Sequence, residues 1–117
     1  MTAARTARRG AAEGEAMLWA VHCLDAPDSA EPRERARAAH SARLRAPGDV
    51  TPLVYGRLMA DDGTTAVGSL LVVAAEDRAR VEAYVAEDPF MAEGVWAQVR
   101  IHAFSASANA PVPLALD

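Results

Sequence analysis

A chain of 117 residues, 51% of them apolar, with a formal charge of −4 and one cysteine, has the size and composition of a single domain with its own core. The negative balance gives no electrostatic basis for binding nucleic acid or an anionic membrane, and a lone Cys23 excludes an intrachain disulfide or a cysteine-based zinc cluster. No apolar run reaches the roughly 18 residues of a membrane span, and the amino terminus lacks a hydrophobic signal core, so cytoplasmic residence is expected.

Residues 1–15 are almost entirely Ala, Arg, Gly, Thr and Glu, and bury too little surface to offset an ordering cost of about 1 to 2 kcal/mol per residue. A flexible tail is expected there, with Arg5, Arg8 and Arg9 solvated. Met17 to Leu24 reads as a first strand, apolar on both faces apart from His22 and hence central in a sheet. His22 is expected to pack with a backbone or water partner, and Cys23 to be a buried thiol. Asp25 to Ser29 ends the strand with turn formers.

Glu31 to about Arg45 reads as a helix, with Ser29 or Asp28 placed to cap it, Pro32 tolerated in its first turn, and Pro47 and Gly48 ending it. Ala36, His40 and Leu44 fall on one stripe at the i, i+4, i+8 spacing, which turns His40 inward or toward the edge of a cleft. Leu53 to Ala60 and Thr65 to Ala75 flank Asp61, Asp62 and Gly63, a hairpin signal because such a loop admits φ > 0 where the chain reverses. Leu70 to Ala75 is apolar at every position, so both of its faces must be covered. Helices can cover one face. A second copy of the sheet is the economical cover for the other, which predicts a homodimer through the sheet faces.

Glu76 and Asp77 open a second helix with acidic residues at its positive end, and Val81, Tyr84 and Val85 form its apolar stripe. It stops at Glu87-Asp88-Pro89, where Asp88 reads as the N-cap of a short helix from Phe90 to Glu93 closed by Gly94. Val95 to Phe104 alternates as a last strand, with Val95, Ala97, Val99 and Ile101 on one side and Trp96, Gln98, Arg100 and His102 on the other. From Ser105 the pattern gives way to a tail or a dimer arm.

The order strand, helix, strand, strand, helix, strand fits a ferredoxin-like α+β domain over residues 16–104: a four-stranded antiparallel sheet, both helices on one face, strands one and three in the centre. Pairing the first and last strands is expected to set His22 opposite roughly Gln98 and His102 opposite roughly Leu18, about 13 Å apart, so no metal site is expected. Dinucleotide, P-loop and nucleophile-elbow fingerprints are missing, and no cofactor is expected.

With Arg37-Ala38-Ala39-His40 on the first helix, Tyr55-Gly56-Arg57-Leu58 and Asp61-Asp62-Gly63 in the hairpin, Gly68-Ser69-Leu70-Leu71-Val72-Val73, and Asp88-Pro89-Phe90, the chain resembles the YciI-like (YCII-related) family from about Met17 to Phe104. The resemblance implies a dimeric α+β barrel in which a histidine of the first helix and an aspartate after the second form an active-site pair, here His40 and Asp88. The family includes a dehydrochlorinase acting on a chlorinated hydroxyquinol, and related barrels include small-molecule isomerases and monooxygenases. This chain departs from the family where Arg57 replaces the usual proline, and where the exit from the first helix, Ala46-Pro47-Gly48-Asp49, is short.

The pair suits proton transfer. An imidazole titrates near working pH, and a carboxylate on its other nitrogen fixes the tautomer and stabilises the imidazolium. Tyr55, Arg57 and Trp19 are the candidate walls of a substrate pocket. Two functions fit: an acid-base enzyme for isomerisation or elimination of a small cyclic substrate, and a non-catalytic dimeric small-molecule-binding or accessory module in which His40 is packed and Asp88 only caps.

Overall fold

The two strands apolar on both faces take the middle of the sheet. The structure, a computed structural model, describes residues 16–114. Its elements are β1 (Met17–Asp25), α1 (Ala30–Arg45), β2 (Thr51–Met59), β3 (Ala66–Ala75), α2 (Arg78–Ala86), α3 (Pro89–Ala92) and β4 (Trp96–Phe104). Every pairing is antiparallel and the strand order is β2-β3-β1-β4, the ferredoxin-like arrangement with strands one and three central. The expected flexible tail, residues 1–15, lies outside the described residues, among which no helix is long and apolar enough to cross a membrane.

The main core fills the space between sheet and helices. Val21, Cys23, Leu71 and Val73 of the central strands meet Val81 and Phe90, all at 2% exposure or less. At about 1.5 to 3 kcal/mol for each large apolar side chain fully buried, this layer drives the helices onto the sheet. The opposite face carries a smaller cluster of Leu18, Val72 and Ala74, onto which Ala106 and Leu114 of the C-terminal segment fold back. Val54, Leu70 and Phe104 on that face stay exposed at 42%, 36% and 41%.

Four expectations are corrected at β1, β4 and the start of α1. Along the β1–β4 ladder Leu24 faces Gln98 but Asp25 faces Trp96, so β4 contains an extra residue there. This bulge resets the alternation and puts Trp96 on the same core side as Val99 and Ile101, where an unbroken period of two would separate them. The register also differs by two residues: His22 pairs with Arg100 and His102 with Ala20. His22 is exposed rather than packed, and the two histidines are diagonal neighbours, nearer about 7 Å than 13 Å apart. Lastly, Ser29 is the N-cap of α1 but its side chain makes no capping bond, since φ −96° and ψ 7° are not the extended backbone from which a cap reaches back; Asp28 sits at φ +58°.

In the hairpin Gly63 takes φ +75° as the Asp/Gly loop requires. The Asp62 carboxylate accepts the Thr64 and Thr65 N–H groups at 2.8 and 2.9 Å and the Thr65 hydroxyl at 2.7 Å, which brings its pKa down to about 2.

Candidate active site

The stripe on α1 is the buried one: Ala36, His40 and Leu44 face the sheet. Opposite it the chain breaks between α2 and α3, because Pro89 cannot continue a helix and Asp88 takes the extended backbone of an N-cap. One carboxylate oxygen of Asp88 accepts the Phe90 N–H at 2.8 Å, and its carbonyl accepts the Met91 and Ala92 N–H groups. These bonds aim the carboxylate. His40 Nδ1 lies 2.8 Å from one oxygen and 3.0 Å from the other, across 48 residues of sequence.

Both members are shielded, Asp88 at 1% exposure and His40 at 8%. An ionised carboxylate only accepts, so the Nδ1–Asp88 bond assigns the proton of the neutral ring to Nδ1 and leaves the lone pair on Nε2. Among the described residues Nε2 has no hydrogen-bond partner. The imidazole is held flat against Phe90, with centroids 3.9 Å apart and planes 11° from parallel, and meets Trp96 edge-on at 5.7 Å. Phe90 and Trp96 are themselves edge-to-face at 5.6 Å. Two rings therefore fix one rotamer of the histidine.

Arginines stand on either side. Arg33 donates to both oxygens of Asp25 at 2.9 and 3.2 Å, to the Gly68 carbonyl at 2.9 Å and to Ser69 Oγ at 3.1 Å, while its guanidinium lies 4.7 Å from the Phe90 centroid. Trp96 Nε1 donates to the same Ser69 oxygen at 3.1 Å. Arg43 is held more loosely, with Nη1 3.5 Å from Asp88 and Nη2 3.7 Å from Glu87. Cys23 lies beneath these groups; burial first, then the charges of Asp88 and Asp25, push its thiol up to about 12, so it is a protonated spectator and not a nucleophile.

Of the five site residues read from the sequence, the structure joins His40 and Asp88 directly. Tyr55 and Arg57 lie on the helix-facing side of edge strand β2, opposite Leu71 and Ser69. Arg57 lines a cleft of about 720 Å³ with Arg33 and Arg37, and Tyr55 lines one of about 570 Å³ with Leu44, Val50 and Pro52. His40 stands on α1 between Arg37, which lines the first cleft, and Leu44, which lines the second, but neither cleft is lined by His40 or Asp88 themselves. Trp19 is not brought to the pair. It is 7% exposed in the core near the start of β1, its indole N–H on the Ala75 carbonyl at 3.1 Å. Among the described residues no three His, Cys, Asp or Glu side chains converge as a metal site would require.

The sequence reading gave no site role to Arg33, Arg43, Phe90 and Trp96. Phe90 is apolar and two places beyond the cap, but only the fold shows its ring against His40. Arg33 and Arg43 flank His40 at i−7 and i+3, spacings that place both beside its stripe. Trp96 was hidden by the bulge.

The YCII-related domain family model matches residues 17–105. Among solved structures, the chain is similar to 5-chloro-2-hydroxyhydroquinone dehydrochlorinase from Burkholderia phenoliruptrix, in complex with 2,5-dihydroxybenzoquinone, at 28% identity and a TM-score of 0.67, covering 78% of this chain and 96% of that one. It is also similar to PA3566 from Pseudomonas aeruginosa at 20% identity and a TM-score of 0.49, covering 80% of this chain and 95% of that one. No curated protein matches significantly.

Proposed function

The chain belongs to the YCII-related domain family, and from that premise we propose that it is an enzyme in which His40 and Asp88 act as a general acid-base pair on a small cyclic organic substrate. The observation that carries this reading is the contact of Nδ1 with both oxygens of a buried Asp88, which leaves Nε2 basic and without a partner among the described residues. In the groove between α1 and β2, with Tyr55 and Arg57 as walls, Nε2 takes a proton from the substrate. Asp88 stabilises the imidazolium that forms. The electron pair released moves into the ring, and the proton returns to a different atom in an isomerisation, or leaves to water while an anion such as chloride departs in an elimination. Proton transfer of this kind typically contributes about 10²- to 10⁴-fold, and no step calls for a cofactor.

The dehydrochlorinase that this chain resembles supports elimination as the reaction class. Chloride release from 5-chloro-2-hydroxyhydroquinone is therefore the first assay, run on the full chain and on Asp88→Asn. A competing reading, a non-catalytic binding module, draws support from the capping bond, because Asp88 would be useful to α3 without any chemistry. The variant separates them: it keeps the cap, since Asn caps nearly as well as Asp, and removes the charge behind His40.

The protein acts as a homodimer through its helix-free sheet faces in this proposal. Exposed Val54, Leu70 and Phe104 adjoin the Leu18–Val72–Ala74 cluster, and apolar surface left in water costs about 25 cal/mol per Å². Sedimentation at micromolar concentration is expected to give twice the chain mass; a persistent monomer contradicts it.

A further inference from the structure

While His40 is neutral, with its proton on Nδ1, the His40–Asp88 pair as a whole carries the negative charge of Asp88, and Asp88 is 1% exposed. A carboxylate so shielded keeps its charge only with a cation or several donors beside it. The Phe90 N–H supplies one donor at 2.8 Å. Among the described residues the one ion-pair partner of Asp88 besides His40 is Arg43, whose Nη1 stands 3.5 Å from Oδ2. Nη1 is itself buried and makes no hydrogen bond there, so it acts on Asp88 as a charge.

The fold holds that charge in place. Arg43 follows His40 by three residues on α1, so the two are neighbours on one side of the helix. Its guanidinium carbon lies 4.1 Å from the centroid of Tyr84, a ring contributed by α2. Other charges around the pair are engaged elsewhere or lie in water. Asp25 of β1 has both oxygens on Arg33, Arg37 is bonded to exposed Glu34, and Glu93 of α3 is bonded to Arg35 at the surface. Glu87, 3.7 Å from Arg43 Nη2, is 75% exposed and screened by solvent. Burial raises both the Cys23 thiol of β1 and the Tyr84 hydroxyl, which keeps them neutral, and β2 adds the Tyr55 hydroxyl on the Tyr84 side.

We propose that Arg43 is a positioning residue of the acid-base pair: its charge balances Asp88 while His40 is neutral, so the resting pair holds no second proton and Nε2 stays free to accept one. This rests on the proton-transfer reading of His40. Asp88 and Arg43 act in opposition. The carboxylate stabilises the imidazolium that forms when a proton arrives, and the guanidinium limits that stabilisation, so the proton can be given up again. Without Arg43 the buried carboxylate takes its cation from His40, and the base rests already protonated.

The test is long-range proton–nitrogen correlation spectroscopy of the imidazoles in the full chain near pH 7.5, where a ring nitrogen with a proton and one without resonate far apart. The His40 signals are those missing from His40→Gln. The parent is expected to show a neutral His40 protonated at Nδ1. In Arg43→Gln the imidazolium share is expected to rise about tenfold, as for the loss of one charge beside a titrating pair. Arg43→Met, which removes the charge but keeps an apolar stem over Tyr84, is expected to give the same rise and serves if Arg43→Gln does not fold. Arg43→Lys keeps the charge and is expected to return most of the neutral form. An imidazolium in the parent, an unchanged His40 in the neutral variants, or Arg43→Lys matching them would each overturn the proposal. Chloride release tests the enzyme reading and these spectra test Arg43, so either can fail without the other.

Discussion

Arg33–Asp25 and His40–Asp88 both tie α1 to the rest of the domain, and both shield a carboxylate from water, yet they are built differently. The Arg33 guanidinium meets four acceptor atoms: both oxygens of Asp25, the Gly68 carbonyl and Ser69 Oγ. His40 uses one nitrogen on Asp88 and keeps the other without a described partner, while the rings of Phe90 and Trp96 hold it in place. The Arg33–Asp25 pair spends Nε and Nη2 on four acceptors of the scaffold and serves to hold structure. A half-satisfied imidazole with a fixed tautomer has a lone pair to spend on chemistry. Burial of such a pair is thus a poor guide to function; what each partner's bonds are spent on is the better one.

The comparison breaks first at Gly68. A Cβ added there would stand 2.1 Å from the Cys23 carbonyl, at the end of the β1–β3 ladder, and the same residue supplies an acceptor to Arg33. Gly68→Ala is expected to cost about 4 kcal/mol or more, or to prevent folding, as read by urea denaturation. Next is Arg33→Met, which strands Asp25, a carboxylate at 6% side-chain exposure; a loss of about 3 to 5 kcal/mol is expected, with turnover per folded molecule changed little. A small stability loss and a large turnover loss would reverse the roles assigned to the two pairs.

How much of this was legible in the sequence follows from the range of each interaction. The stripe of Ala36, His40 and Leu44, the cap at Asp88 and the central strands are local patterns, and each appears in the structure. What the sequence hid is non-local. The bulge opposite Asp25 adds one residue to β4 without leaving a mark in its alternation, and from it follows the placement of Trp96 beside His40. The pairing register of β1 and β4 is set across a crossover and not by a hairpin turn, so nothing near His22 or His102 indicates it. Arg33 and Arg43 read as surface charge on a polar helix, because their partners come from β1, β3 and the α2–α3 break.

Cys23 probes the space between the two pairs. Its pKa, raised chiefly by burial and then by Asp88 and Asp25, means that the fold favours the thiol over the thiolate. The folded value lies above the unfolded one, so this contribution to stability is complete below about pH 8.5 and is lost as pH rises toward 12. Ellman's reagent at pH 8 is expected to leave the folded protein unlabelled and to modify one thiol after denaturation. Rapid labelling of native protein would show that water reaches the base of the site.

The smallest effect takes the comparison to the surface. Asp62, like Asp25, accepts hydrogen bonds at both oxygens, but fully in water, and its pKa is lowered to about 2 by the Thr64 and Thr65 bonds. A depressed carboxylate supports the fold above its unfolded value near 4 and loses that support as pH falls through about 2. The Thr64 and Thr65 amide resonances are expected to move in that lower range while the melting temperature of Asp62→Asn at pH 7 stays within a few degrees of the parent; a larger drop would mean that the hairpin loop contributes more than its exposure implies.

The most direct test of the central claim is chloride release from 5-chloro-2-hydroxyhydroquinone by the parent chain, Asp88→Asn and His40→Gln, with thermal unfolding measured on the same samples. Turnover by the parent and a loss of about 10²- to 10⁴-fold in both variants, with Asp88→Asn melting close to the parent, is the predicted result. Parental turnover in both variants, with His40→Gln merely less stable, would contradict it and leave the pair a structural role alone.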